Sequence, residues 1–598
     1  MLTCKNIHLP LVRSLRFQRA AGTAWLAITL LACTTSTGGY DQPGPGRPDG
    51  ETWTHPRSDP TAPVIAAPGA PALDPFAQAL EKLLRQGTHP KMPPGHFGDS
   101  QLVMEQLYRS TGYKPLWTRD GKPTPQTRQM VASLAEAKQL GLKDEDYEEA
   151  LLAEWVRSLE NKSAVDEEEL ASFDTALSFV LIRYGKALHA GRIDPRAVNF
   201  SLAPRSIDYA MLVKRLAEEG NPSNILASLE PNLPIYRRLK IALAKYQVLA
   251  QAPSLSDVAI NTTLNPRQRH KGVARLRQLL RALGDLPDDG LTPLDPDLYD
   301  MELVEAVKRF QKRHGLPANG VIGGETRVQL LMPLSLRVKQ IELSLERLRW
   351  LPEPSNRPLL LINIPSFQLY GYQAGSDFES PDLRIEVIVG QAVGRWTTPV
   401  FYADMAHVIF RPYWNVPPSI ARHEVIPSIL RNPGYLRRNA MEIVDSYAPS
   451  ARTYALNKTT IARLKGGSLK VRQRPGTHNA LGRIKFVFPN EKGVYLHDTP
   501  SQQLFSRTRR DFSHGCIRVG DPVSLAEFVL GGNGGWTRER IIKAMNNPKS
   551  VTVNLPEPIP VYILYLTALA DGSGTVYFYE DIYGHDKRLE RALFSATP

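Results

Sequence analysis

At Pro358 the hydrophobic rhythm of this 598-residue chain changes, and that change limits what it can fold into. Upstream, from about residue 76 to 255, apolar residues recur at three- and four-residue intervals, as in residues 130–142 and 171–188. That spacing lines one face of a helix. Downstream, PLLLINIPSFQLYGY (358–372) alternates apolar and polar residues in its second half, and LRIEVIVG (383–390) repeats the pattern. AHVIFRPYWNVPPSIA (406–421) holds a further strand before a proline turn. Alternation of this kind marks strands with one buried face. A chain that is helical first and strand-rich later is expected to be a multidomain α+β protein.

The length suits three or four domains, and 42% hydrophobic with 22% charged residues is ordinary for a globular chain. The expected division is a helical domain over 76–260, punctuated at Gly191, Pro195, Pro222 and Pro231, then a compact module over 268–332. An amphipathic connecting helix falls within 336–357. A mostly-β domain covers 358–555, interrupted by a polar, helical insertion at 418–474. Further strands and a tail fill 556–598.

The amino-terminal end carries Arg13, Arg16 and Arg19 and then an apolar run over 21–32. Such a run is too short to span a bilayer and has the length of a signal-peptide core. Its ending, Leu30-Leu31-Ala32-Cys33, resembles the lipobox of bacterial lipoproteins. That resemblance implies a signal over 1–32, cleavage before Cys33 and lipid on its sulfur; cleavage without lipid would give a soluble periplasmic protein. Residues 33–75 are rich in Pro, Gly, Thr, Ser and Asp and read as a disordered tether behind the anchor. Loss of Lys5 and the three arginines lowers the net charge from +13 to +9. A basic exported chain suits a polyanionic wall or membrane surface, and no nucleic-acid motif accompanies the charge.

Of three cysteines, Cys4 leaves with the signal and Cys33 is the lipid site, so Cys516 stands alone. It lies in YLHDTPSQQLFSRTRRDFSHGCIRV (495–519), where fifteen residues separate His497 from the run Ser513-His514-Gly515-Cys516. A thiol is a weak nucleophile until it loses its proton, so a nearby histidine is the expected activator. This spacing resembles the signature of the bacterial L,D-transpeptidases. NIPSFQLYGY, RPYWNVPPSIA and RQRPGTHNALGRIKFVFPN are similar to the large periplasmic members of that family. YRSTGYKPLWTRDGKPT and YGKALHAGRIDP resemble their scaffold domain, in which Trp117, Tyr184 and His189 are read as core and turn packing. Phe310, Gln311, Gly315, Leu316, Asn319, Gly320, Gly323 and Thr326 match the three-helix peptidoglycan-binding domain, as a wall-gripping module or a brace.

The resemblance implies that Cys516 attacks a tetrapeptide stem, expels the terminal D-Ala and passes the acyl group to a second stem as a 3→3 cross-link. His497 is the implied general base, oriented more often in the family by a backbone carbonyl than by a carboxylate such as Asp498. Ser513, His514 and Gly515 shape the turn, with the N–H groups of Gly515 and Cys516 facing the oxyanion. Tyr413, Trp414 and Asn415 line the substrate groove, although core packing alone explains the aromatics. Arg518 meets either a substrate carboxylate or Asp521. The insertion is implied to be a lid, carbapenems are implied to acylate the thiol, and neither metal nor cofactor is called for. Three rivals remain: a carboxypeptidase on the same stems, attachment of a wall protein, and a wall-binding lipoprotein without catalysis.

Overall fold

The computed structural model describes residues 74–92, 97–255, 258–287, 294–353, 356–394, 396–532 and 534–595. The expected signal, Cys33 and nearly all of the tether lie outside the described residues.

Helix Glu167–Ala190 organises the first domain. Three glutamates, Glu167 to Glu169, open it, where the helix dipole favours negative charge, and Gly191 ends it. Phe173, Leu177, Val180, Leu181 and Ile182 bury all of its sides, so it must be a central helix. Helices Pro75–Gln86, Gln101–Ser110, Pro125–Leu134, Glu149–Asn161, Tyr209–Glu218 and Pro222–Leu229 supply the rest of its core. Trp117 and Tyr184 are buried in that core, and the Trp117 indole N–H donates to Ser178 Oγ at 2.9 Å. Half-buried His189 lies beside Arg205, with the Arg205 Nη2 to His189 Nδ1 distance 3.5 Å.

The second module contains helices Val273–Leu283, Met301–Arg313 and Gly324–Leu330 around their own core. That core begins at Val258 and Ile260, ahead of the expected start at 268. Its motif residues work internally: the Gln311 amide donates to Asn319, Val321 and Thr326, and its Oε1 accepts the Gly320 N–H. Buried Arg313 forms a bidentate pair with Asp285 and also donates to the Val576 carbonyl. His314 stacks between Phe310 and Phe578. Both contacts fix the module against the hairpin of strands Ala568–Ala570 and Val576–Phe578.

Helix Leu334–Arg349 joins the parts. Glu346 accepts the backbone N–H groups of Arg192 and Ile193, and Arg349 reaches the Tyr236 hydroxyl. Arg347 pairs with Asp586 at 2.5 Å, both largely buried.

The last domain is a closed sheet. Its strands, in chain order, are β1 (Leu359–Asn363), β2 (Gln368–Tyr372), β3 (Leu383–Gly390), β4 (Phe401–Phe410) and β5 (Ile484–Val487). They continue as β6 (Leu496–His497), β7 (Asp511–Ser513), β8 (Ile517–Val519) and β9 (Val551–Leu564). The spatial order is β7-β3-β8-β6-β5-β4-β9-β1-β2, and β2 pairs with β3 to close the ring. Leu360, Ile362, Val387, Met405, Val408, Ile484, Phe486, Leu496, Ile517 and Val519 fill its inside.

Two expectations change here. The boundary at 555/556 cuts β9, a strand between β4 and β1, so the carboxy-terminal segment is integral to the β-domain. The 418–474 insertion is not wholly helical. Short strands Trp414–Asn415, Met441–Val444, Thr453–Tyr454 and Lys470–Gln473 form a four-stranded sheet. With Val416, Ile420, Val425, Ile429 and Leu464 they make a small core of their own.

Candidate active site

Strand register assembles the site. β6 pairs with β8 in parallel, placing Leu496 opposite Ile517 and His497 opposite Arg518. β5 pairs with β6 in the antiparallel sense, placing Lys485 opposite His497. Side chains alternate along a strand. Ile484, Phe486, Leu496, Ile517 and Val519 therefore point to the core, and Lys485, Tyr495, His497, Cys516 and Arg518 share the other face. His497 and Arg518 form a row with Lys485, and Tyr495 and Cys516 lie one step before it. The Ile517 N–H donates to the Tyr495 carbonyl at 3.1 Å, fixing the two rows together.

His497 is buried, and its Nδ1 lies 2.6 Å from the Asp498 carbonyl oxygen. A carbonyl only accepts, so Nδ1 carries the proton and the lone pair of the neutral ring is on Nε2. The Asp498 carboxylate is engaged elsewhere, accepting from the Arg483 and Thr499 N–H groups at 2.8 and 2.7 Å. Burial lowers the His497 pKa to about 3, and the Arg518 and Lys485 cations push the same way.

The Cys516 thiol is pushed up by desolvation in its closely packed surroundings, although part of the residue meets solvent. The neighbouring Tyr495 backbone and side chain oppose that shift, and the thiol donates to the Gly493 carbonyl at 3.7 Å. Burial pushes the Tyr495 hydroxyl well up, with the nearby Trp414 side chain partly opposing, and Lys485 Nζ lies 3.7 Å from the Tyr495 ring centroid. At rest the pair is thus a thiol beside a neutral imidazole.

The nucleophile's turn is braced from below. Gly515 has φ +106°, a conformation open to glycine and strained for other residues. Its N–H donates to Ser513 Oγ at 3.1 Å, and Ser513 Oγ donates to the Cys516 carbonyl at 2.5 Å. The Gly515 N–H is therefore spent on the turn and does not face an oxyanion, contrary to the expectation from sequence. Buried Thr398 donates to the Gly515 carbonyl at 2.8 Å and accepts the Gly390 N–H at 2.8 Å. A Cβ at Gly390 would stand 2.0 Å from the Trp396 carbonyl, so only glycine fits there. The Tyr583 hydroxyl, which donates to the Gly390 carbonyl at 2.5 Å, ties this brace to the carboxy-terminal segment.

His514 points to the insertion. Its Nε2–H donates to Glu424 Oε1 at 2.7 Å, and its ring meets Trp396 edge-on at 5.0 Å between centroids. Trp396 also packs on the insertion's core. Of the expected groove residues, Trp414 reaches the site through Tyr495. Tyr413 is exposed beneath the Arg472 guanidinium, and Asn415 is an exposed strand residue opposite Arg472. Arg518 has no recorded pair with Asp521, whose carboxylate caps helix Pro522–Leu530. Sequence reasoning missed Lys485, Tyr495, Thr398 and Glu424; Tyr495 sits inside the motif stretch, and the alternation of RIKFVF places Lys485 opposite the core face.

An apolar cavity of about 240 Å³ lined by Tyr370, Tyr372, Phe378 and Tyr562 sits at the scaffold junction and contains none of these residues.

Comparison with known proteins gives matches at the level of domains. Residues 103–243 match a scaffold domain, residues 269–330 a "Putative peptidoglycan binding domain", and residues 357–559 an L,D-transpeptidase catalytic domain. A Haemophilus influenzae protein named "Putative L,D-transpeptidase" is 31% identical over 256 residues, 42% of this chain and 49% of that one. The match thus spans about half the length of that relative. A crystal structure of an L,D-transpeptidase from Xylanimonas cellulosilytica is 16% identical, covering 51% of this chain and 98% of that one, and its TM-score of 0.16 carries no argument. The β-domain that carries Cys516 and His497 is thus similar to L,D-transpeptidase catalytic domains, with a scaffold match and a peptidoglycan-binding match ahead of it.

Proposed function

We propose that the protein is an L,D-transpeptidase that joins peptidoglycan stems 3→3 through a Cys516 thioester. The observation that carries this is the strand register, which sets Cys516 and a neutral, Nδ1-tethered His497 on one face of adjacent strands. Cys516 Sγ attacks the carbonyl of the third residue of the donor stem while its proton passes to His497 Nε2. The Tyr495 hydroxyl, close enough to the sulfur to influence it, donates to the oxyanion. The C–N bond then breaks and His497 returns the proton to the departing D-Ala amine. An amine of a second stem attacks the thioester, His497 takes its proton, and the C–S bond breaks to restore the thiol. The insertion acts as a lid that orders the acceptor and keeps water from the thioester. The protein works in the periplasm on a lipid anchor at Cys33, and carbapenems acylate the same sulfur.

The test is incubation of purified disaccharide-tetrapeptide with wild type and Cys516→Ala, read by mass spectrometry. Wild type should yield cross-linked dimer with loss of D-Ala, and the variant neither. Tripeptide without dimer from wild type would mean a carboxypeptidase, and dimer at the wild-type rate from the variant would refute the nucleophile.

A further inference from the structure

Lys485, His497 and Arg518 lie side by side on three neighbouring strands, with the imidazole between the two cations. Strands are about 4.8 Å apart, so the two cationic residues start about 10 Å from each other and their side chains can converge on one small group. Both are half-buried. Among the described residues, neither has a recorded ion pair or side-chain hydrogen bond. Lys485 leans over the Tyr495 ring and Arg518 follows Cys516 by two residues, so both flank the reacting sulfur. Half-buried cations normally sit against a carboxylate. Here the face is short of one anion.

We propose that Lys485 and Arg518 form a carboxylate receptor that seats the terminal carboxylate of the donor stem while Cys516 attacks the preceding carbonyl. This deepens the transpeptidase reading and rests on it. The geometry accommodates the whole group. Two residues along a strand span about 6.7 Å, the separation between the Cys516 row and the Arg518 row. The donor's attacked carbon, leaving nitrogen and carboxylate follow one another over one residue, about 3.8 Å. With the carbonyl at the sulfur, the carboxylate reaches toward the cationic row and the leaving nitrogen falls beside His497, which must protonate it. The receptor thus reads whether the residue after the scissile bond is the last one.

The test uses the full chain and two reagents that alkylate the same sulfur, anionic iodoacetate and neutral iodoacetamide. The ratio of their rates reports anion recognition, and a partly misfolded sample lowers both rates and leaves the ratio alone. Lys485→Met should lower the iodoacetate-to-iodoacetamide ratio on the order of tenfold, the size expected for one charge-assisted contact. Lys485→Arg should recover most of it, and Arg518→Gln should also lower it. A ratio unchanged in Lys485→Met while both rates fall would overturn the proposal, because the lysine would then serve the thiolate. A second measurement uses stems ending in D-alanine or D-alanine amide. Wild type should consume the acid at least tenfold faster, and equal consumption would remove the donor carboxylate as the occupant. Absence of dimer from either stem would instead count against the transpeptidase reading and leave the alkylation ratio to stand.

Discussion

The resting protonation state of the site makes a sharp prediction. Desolvation pushes the Cys516 thiol up from its ordinary range, and the same burial lowers His497 to about 3. At pH 7 the thiol is therefore mostly protonated, and the imidazole is neutral. The resting site therefore differs from a thiolate–imidazolium pair, in which the sulfur is ionised throughout the neutral range. The perturbation is pH and the assay is the rate of Cys516 alkylation by iodoacetamide, followed by intact mass. Because this thiol is the only cysteine beyond residue 33, a protein truncated after that position reports on it alone. The rate should climb about tenfold per pH unit from 6 to 8.5 without a plateau, since only the thiolate reacts. The sign for His497 is opposite in consequence. A depressed pKa keeps the base of the free enzyme unprotonated at low pH, so kcat/KM for dimer formation should not lose half its value at 6.5, where a free histidine would. A plateau in alkylation with a midpoint below 7 would refute the neutral pair and with it the attribution of both shifts to burial.

Two further outcomes follow from the supports of the site. Thr398→Val strands the Gly515 carbonyl and Gly390 N–H in the core, costing about 1–3 kcal/mol each; the catalytic domain should melt lower and turnover fall sharply, with Thr398→Ser close to wild type, whereas a Val variant with wild-type melting and rate would remove Thr398 as a brace. Glu424→Ala cuts the link from the insertion to His514 at a half-exposed pair worth under about 1 kcal/mol, so the ratio of 3→3 dimer to tripeptide should fall by a few fold, and a ratio that holds while both rates drop would make the contact one for folding or donor binding only.

Much of this was legible in the sequence, for identifiable reasons. Cys516 and His497 are close in the chain and joined by neighbouring strands, so local spacing reflects spatial contact. The helical and strand-rich halves follow from periods that burial imposes directly. β9 is divided by the expected boundary at 555/556, and Pro556, Pro558 and Pro560 make it unlike an ordinary interior strand. The structure tolerates the first two where register slips between Asn554 and Ile559, a bulge that leaves residues 555–558 out of the ladder with β4. The insertion's sheet escaped because its strands are two to four residues long and pair across up to some sixty residues. Glu424 and Thr398 act on the nucleophile's turn from about 90 and 117 residues away, a relation that no periodicity carries.

The four perturbed groups share one cause. Desolvation is the largest influence on Cys516, His497, Lys485 and Arg518, and in each it disfavours the charged form. Before substrate arrives, moving the thiol proton to His497 would set an imidazolium between two cations, which both raise its cost. A carboxylate seated on Lys485 and Arg518 would weaken that field, leaving one net positive charge where there were two. An imidazolium would then cost less, so on this reading His497 is a stronger base when the donor is in place. The thiol would then stay protonated and slow to react until a carboxylate-bearing donor occupies the row. The arrangement that makes Cys516 sluggish toward a neutral alkylating agent is, on this reading, the one that makes it selective for its substrate.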